Sequence, residues 1–251
     1  MQRLEGLLRK AIQDYEMIRP GDRVAIGVSG GKDSVALAIA LARLRRYLGI
    51  PFEIQAISLD PQFGGIVTDY SPLEELFRQY DVPYEIRRSS IGRIVFDERR
   101  ESNPCALCAK MRRGLLHNTA KELGCNKIAL GHHLDDAVET FYMNLWDGGR
   151  IGCFSPVTYL SRKEITMIRP MILATEAEVI HAARSLELPI VKNICPADGA
   201  TRRQEMKEFV FKMSRIDPAF RQKMLGAMQD SGIDGWAPLH TGRRKAAPKA
   251  D

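Results

Sequence analysis

No run of this 251-residue chain approaches the ~20 consecutive apolar residues that a membrane-crossing helix needs. The opening MQRLEGLLRKAIQDYEMI interleaves charges with its apolar positions and so does not read as a secretory signal. A cytoplasmic location with no membrane partner is the expectation. Cysteines are few and odd in number: Cys105, Cys108, Cys125, Cys153 and Cys195. Without a secretory signal, that count argues against a disulfide framework and turns attention to metal, cluster or redox chemistry. Internal repeats are absent, low-complexity sequence is absent before the tail, and proline and glycine are scattered, so no linker divides the chain. What remains is ordinary for a globular protein, 45% hydrophobic and 27% charged. The formal charge of +6 suits a polyanionic partner without requiring one. Part of it lies in the final GRRKAAPKAD, a basic tail with no core to join.

Periodicity supplies the architecture. Leu4, Leu7, Leu8, Ala11, Ile12 and Tyr15 lie on one helical face. RVAIGVS reads as a buried strand, followed by the helix SVALAIALARLRRYL. FEIQAISLD is a second strand, PLEELFRQYD a helix and PYEIRRS a third strand. MRRGLLHNTAKELG is a helix stopped by Gly124. NKIALGH is a fourth strand, DDAVETFYMNLW a helix and EITMIRPM a fifth strand. TEAEVIHAARSLEL is a helix with Thr175 as its N-cap, and a last helical segment covers about 201–214. This alternation predicts an α/β fold, a five-stranded parallel sheet with helices on both faces, Rossmann-like in kind. The expected organisation is an N-terminal helix over 1–19 packed on one domain over 20–215, then a C-terminal extension over 216–251.

VSGGKDS, residues 28–34, joins the first strand to the first long helix. In an open parallel sheet ligands bind beyond the carboxyl ends of the strands. A helix N-terminus offers unpaired N–H groups and partial positive charge to an anion. Gly30 and Gly31 allow close backbone approach and positive φ. Ser29 and Ser34 add hydroxyls and Lys32 a point charge. The combination points to phosphate, and too many anion-binding elements coincide for a plain glycine turn with a capping serine. It is not a Walker A loop, because Ile26 stands where the first glycine belongs and Asp33 follows the lysine. Gly27 and Gly30 have the wrong spacing for a dinucleotide fingerprint.

Pro104-Cys105-Ala106-Leu107-Cys108 precedes a basic helix. A single CxxC is ambiguous between a zinc half-site, a redox dithiol and a pair of cluster ligands. A zinc site built wholly of cysteines needs a second close pair, which the chain lacks. Cys195, in NICPADG, adds a distant third thiol. Three thiolates can hold a 4Fe–4S cluster with one iron open to a small ligand such as sulfide; a thiol pair plus a structural cysteine is the alternative. Cys125 reads as core and Cys153 as a loop residue. Gly131-His132-His133-Leu134-Asp135-Asp136 ends a strand and opens a helix. Gly131 lets backbone approach a nucleotide. Asp135 and Asp136 serve a helix N-terminus or Mg2+ equally well, and His132 is a candidate acid–base or phosphate contact. Arg99, Arg100, Lys110, Arg112 and Arg113 bracket the CxxC, and Arg202 and Arg203 follow Cys195. Such a basic rim favours an RNA backbone modestly over a solvated helix face.

SGGKDS resembles the PP-loop of the N-type ATP pyrophosphatases, the adenine nucleotide alpha hydrolase-like fold. The resemblance implies that Ser29, Gly30, Gly31, Lys32, Asp33 and Ser34 cradle the pyrophosphate of ATP while the α-phosphate is attacked. It extends over the domain at 20–215. Leu59-Asp60 is similar to the family's adenosine-contacting segment, although Asp60 reads equally well as a strand-end cap. PCALCAKMRRGLL, GHHLDDAVETFYMNLWDGGR, the IRP at 168–170 and Cys195 resemble the TtcA-like tRNA 2-thiocytidine synthetase family over most of residues 20–210. That resemblance implies an enzyme using ATP, Mg2+ and a 4Fe–4S cluster on Cys105, Cys108 and Cys195. A cytidine C2 oxygen in tRNA is adenylated and then replaced by sulfur. Lys32, Asp33 and Cys195 are implied as catalytic, and Asp60, Gly131, His132 and Asp136 as further nucleotide contacts. It also implies a sulfur donor, a cysteine desulfurase or sulfide, and suggests a homodimer. The family's second, late CxxC is missing, which puts any persulfide role for a fourth cysteine in doubt. The rivals are a ligase of the tRNA lysidine synthetase type, which needs no cysteines, and a redox-sensing nucleotide-binding module without turnover.

Overall fold

A computed structural model describes residues 1–99, 103–191, 195 and 202–240. Its centre is a six-stranded sheet in the order β3-β2-β1-β4-β6-β5. The strands are β1 (Arg23–Val28), β2 (Glu53–Asp60), β3 (Tyr84–Arg88), β4 (Lys127–Ala129), β5 (Val157–Leu160) and β6 (Ile165–Ile168). Five run parallel, as the alternation predicts. The sixth, β5, pairs antiparallel with β6 at the sheet edge, Val157 opposite Ile168. The five-strand expectation omits it because VTYL carries no apolar run. Tyr159 is exposed and its neighbours are half-buried.

The helices are α1 (Gln2–Asp14), α2 (Lys32–Leu44), α3 (Ser71–Gln79), the single turn α4 (Ile91–Arg93), α5 (Pro104–Glu122), α6 (Leu134–Trp146), α7 (Glu176–Ser185), α8 (Arg202–Ile216) and α9 (Phe220–Ser231). A π-helical turn over Ile94–Arg99 follows α4. Alternation along the strands explains the two layers. Val24, Ile26 and Val28 of β1 join Ile54 and Ala56 of β2 in the main core with α1, α2 and α7. Ala25, Ile57, Leu59 and Ile128 face the other way, against Leu115, Leu116 and Ala120 of α5. Thr175 caps α7 in a capping box with Glu178, and Gly124, with φ +73°, follows the end of α5. Beyond α8, α9 returns to the main core and Trp236 is fully buried there. The Trp236 indole N–H donates to the Phe154 carbonyl (2.9 Å), and the Tyr15 hydroxyl donates to the Trp236 carbonyl (3.0 Å). The sequence GRRKAAPKAD lies outside the described residues. No helix among the described residues is long and apolar enough to cross a membrane. The strand order reverses beside β1: β2 and β3 lie on one flank, β4 and β6 on the other. That reversal leaves a crevice at the carboxyl ends of the strands, where residues 28–34 stand.

Candidate active site

The loop after β1 is tied by its own hydroxyls. Ser34 Oγ accepts from the Ser29 N–H (3.0 Å) and donates to the Gly31 carbonyl (2.9 Å). Ser29 Oγ lies 3.2 Å from Ser34 Oγ and accepts from the Gly31 N–H at 3.4 Å. Gly31 enters α2 in an extended conformation, so the first N–H groups of α2 are left to an anion. Gly30 has φ +88°, and a Cβ there would sit 2.4 Å from the Val191 carbonyl oxygen. The Val191 N–H also donates to the Gly30 carbonyl (3.0 Å), which fastens the loop to the segment ahead of Cys195. Gly131 closes the other side: a Cβ on it would lie 3.2 Å from the backbone of Asp33 and Ser34.

Beside the loop is a polar pocket of about 240 Å³, lined by Lys32, Asp33, Asp136, Glu139, Glu176, Arg203 and Lys207 among others. Lys32 Nζ lies 3.0 Å from Glu176 and 3.2 Å from Asp33. Lys207 reaches the same Glu176 oxygen at 2.8 Å. Burial opposes the charged form of Glu176, but hydrogen bonds from Lys207 and Lys32 prevail and lower its pKa to about 2. Burial likewise opposes the Lys32 cation, and Asp33 and Glu176 hold its pKa above the ordinary value. Glu139 moves the other way, to about 7, through burial and the neighbouring Asp136. Asp136 accepts from the His133 N–H (2.9 Å) in the capping box of α6 and pairs with Arg203 at 2.5 Å. Asp135 has a different task. It accepts from the Glu176 N–H (2.7 Å) and pairs with Arg221, binding α6 to α7 and α9. Alternating cations and carboxylates at a helix N-terminus have the chemistry to receive a polyphosphate with its divalent cation.

On the α5 side of the sheet lies a larger cavity of about 580 Å³. Its walls come from the carboxyl ends of β1, β2, β4 and β6 and from Ala109, Arg112, Arg113 and Leu116 of α5. Ser29 and Leu59 both reach it. Asp60 does not line it. Its buried carboxylate accepts from the N–H groups of Gln62 and Thr68 (both 3.1 Å) and shapes the turn after β2. His132 faces the cavity, and burial together with Arg169 brings its pKa to about 4. It is neutral at pH 7. In the sequence Arg169 stands out only as part of the IRP at 168–170, with no role attached to it, and Phe154 carries no signal beyond its position ahead of the β5–β6 hairpin.

The CxxC does not precede a helix but opens one. Asn103 caps α5 by accepting from the Ala106 N–H (3.1 Å), and Pro104 takes the first turn. Cys105 and Cys108 are therefore one turn apart on one face. Cys108 is buried with Phe63, Ile91 and Val95, and Cys195 packs against the same cluster. Burial pushes the Cys108 thiol up, Arg112 opposes, and the nearby Cys195 and Cys105 push up further. Among the described residues no three His, Cys, Asp or Glu side chains converge tightly enough for a single metal ion. Thiolates on a cluster bind different irons and need not meet at one point, so three sulfur donors, Cys108 buried, Cys195 half-buried and Cys105 exposed one turn before Cys108, suit an iron–sulfur cluster better than zinc. Of the basic rim, Arg112 and Arg113 line the cavity. Arg202 is paired with Asp147 (2.7 Å) and Arg203 with Asp136. Arg100 lies outside the described residues. Cys125 is core, as the sequence suggests. Cys153 is also buried, its thiol donating to the Ala137 carbonyl (3.3 Å).

Comparison with known proteins agrees with this geometry. The model of the PP-loop domain family matches residues 2–213. A tRNA-cytidine(32) 2-sulfurtransferase of Syntrophotalea carbinolica is 39% identical over 230 residues, 90% of this chain and 88% of the relative. The protein of the same name from Dechloromonas aromatica is 37% identical, covering 90% and 79%. Among solved structures, the U34-tRNA thiolase NcsA from Methanococcus maripaludis with its 4Fe–4S cluster superposes with a TM-score of 0.75 at 25% identity, over 91% of this chain and 77% of that one. The family match over residues 2–213 and the extent of these identities show that the chain belongs to the PP-loop family, among the tRNA-cytidine(32) 2-sulfurtransferases.

Proposed function

We propose that the protein is an ATP-dependent, iron–sulfur-dependent tRNA sulfurtransferase that exchanges the C2 oxygen of a cytidine for sulfur. One observation carries this reading. The helix that opens with Cys105 and Cys108 lines, from Ala109 onward, the same cavity that opens onto Ser29 of the nucleotide loop. Thiols and loop thus serve one reaction space. The N–H groups of α2 and Lys32 hold the β- and γ-phosphates, and Asp33 and Asp136 are placed for Mg2+. Adenosine takes the apolar wall at Ile57 and Leu59, with Gly131 allowing close backbone approach. The base oxygen attacks the α-phosphorus and pyrophosphate leaves, its charge met by Lys32, Lys207 and Arg203. Sulfide then displaces AMP at C2; where a cysteine desulfurase is the source, its persulfide sulfur is first released as sulfide by a two-electron thiol reductant.

Cys105, Cys108 and Cys195 would hold a 4Fe–4S cluster, which would supply, at the iron left without a protein thiolate, a binding site for sulfide. Arg112 and Arg113 extend positive charge along the mouth toward an RNA backbone. A substrate of this class places the enzyme in the cytoplasm. Anaerobic purification followed by iron, sulfide and visible-spectrum measurements tests the reading. About four irons and four sulfides per chain are expected, lost in Cys105→Ala, Cys108→Ala and Cys195→Ala without loss of the fold. Zinc in their place, or no metal after anaerobic reconstitution, would contradict it.

A further inference from the structure

Arg169 follows β6 and is buried, only 6% exposed. Its Nη1 donates to the Ser155 carbonyl (2.5 Å) and to Thr158 Oγ1 (3.2 Å). Its Nε is buried without a partner, and no carboxylate among the described residues pairs with it. Beneath the guanidinium, 4.9 Å away, is the ring of Phe154. The His132 ring lies 5.0 Å from that same ring, and its Nδ1 is also buried without a partner. All three side chains line the 580 Å³ cavity at its β4–β6 end, away from the Ile57 and Leu59 wall. A buried cation without an anion is costly, and the ring compensates only part of that cost. Such a group is completed by a ligand that brings an acceptor oxygen.

We propose that this end of the cavity seats the target pyrimidine, flipped out of the RNA stack, with Phe154 as its aromatic wall and Arg169 as donor to its carbonyl edge. The proposal rests on the tRNA reading above and adds the residues that receive the base. Chemistry on a base requires that it leave its stack, and an aromatic ring with an arginine plane is a common receiver of unstacked bases. Neutral His132 keeps a second positive charge away from that edge. Arg169 acts as a positioning residue, since the adenylated oxygen lies on the base edge it would hold.

The test uses an anticodon stem–loop RNA carrying pyrrolo-cytidine at the target position, the full chain, and a non-hydrolysable ATP analogue. Wild type should give a saturable fluorescence change. Arg169→Gln and Phe154→Ala should abolish that change or weaken it at least tenfold, while affinity for the ATP analogue stays within twofold. Arg169→Lys, which keeps the charge but not the planar fork, should recover part of the signal. Should Arg169→Gln disturb the β5–β6 edge in a thermal melt, Phe154→Leu, which keeps apolar bulk without the ring, carries the same test. A full signal in the variants overturns the proposal. So does a tenfold loss of ATP-analogue affinity with the RNA signal intact at saturating nucleotide, because Arg169 would then serve a phosphate of the nucleotide. No signal in wild type overturns the tRNA reading, and the proposal with it.

Discussion

Gly30→Ala is expected to disable the nucleotide loop, while Gly31→Ala, one residue along, is expected to leave the fold untouched. At Gly30, φ is +88°, and an alanine in the left-handed half of the map costs about 1–2 kcal/mol. The new Cβ would also stand 2.4 Å from the Val191 carbonyl oxygen, when ordinary contact begins near 3.4 Å. The 191 segment must retreat by about an ångström, and the Val191-to-Gly30 hydrogen bond, worth about 1 kcal/mol, is lost with it. The total is ~2–4 kcal/mol, which for a chain of this size lowers Tm by roughly 5–15 °C. At Gly31, φ is −75° and a Cβ meets nothing nearer than Ser29 Oγ at 3.5 Å. That change should stay within about 0.5 kcal/mol. Urea melts of both variants, with binding of an ATP analogue, check the pair. Equal stability of the two variants, or wild-type nucleotide affinity in Gly30→Ala, would refute the argument from backbone geometry.

Lys32→Met should reduce pyrophosphate release by about 100-fold or more, a typical loss for one preorganised charge, with the melt little changed; a radiolabelled pyrophosphate assay measures it. Asp135→Asn should cost about 3 kcal/mol in urea, because it leaves Arg221 without its partner inside the α6–α7–α9 junction. Glu176, with its folded pKa near 2 and an unfolded value near 4.3, stabilises the fold above pH ~4.3. That contribution fades as pH falls from ~4.3 toward 2. Glu176→Gln should therefore lose about 1 kcal/mol at neutral pH and show a flatter acid limb in pH-dependent melts.

The fold was largely legible because the chemistry of each parallel strand is uniform. Apolar runs ending in turn residues and followed by 3.6-residue periodicity leave little choice but a parallel sheet. β5 escaped because an edge strand buries too little to leave an apolar pattern. The nucleotide loop was legible because positive φ, hydroxyls and a lysine are all encoded locally. The CxxC was misplaced relative to its helix: Asn103 and Pro104 are a cap and a first-turn residue, and the basic stretch beginning at Met111 obscured that start. Asp60 shows the limit of a motif. Its carboxylate is committed to the turn at 60–68, a fact set by backbone N–H groups as far on as Thr68. Arg169 was legible only as part of the IRP at 168–170, and Phe154 not at all, because nothing local distinguishes a buried unpaired arginine from one that joins a salt bridge.

In the proposed reaction the loop, the thiols and the cavity act together on tRNA. The most direct measurement incubates the anaerobically reconstituted protein with tRNA, ATP, Mg2+ and sulfide, then digests the RNA and analyses its nucleosides by mass spectrometry. The expected product is 2-thiocytidine, formed only with ATP and absent when Cys108 is replaced by alanine. Unmodified cytidine alongside ATP-dependent pyrophosphate release, or 2-thiocytidine made equally well by the Cys108 variant, would contradict it.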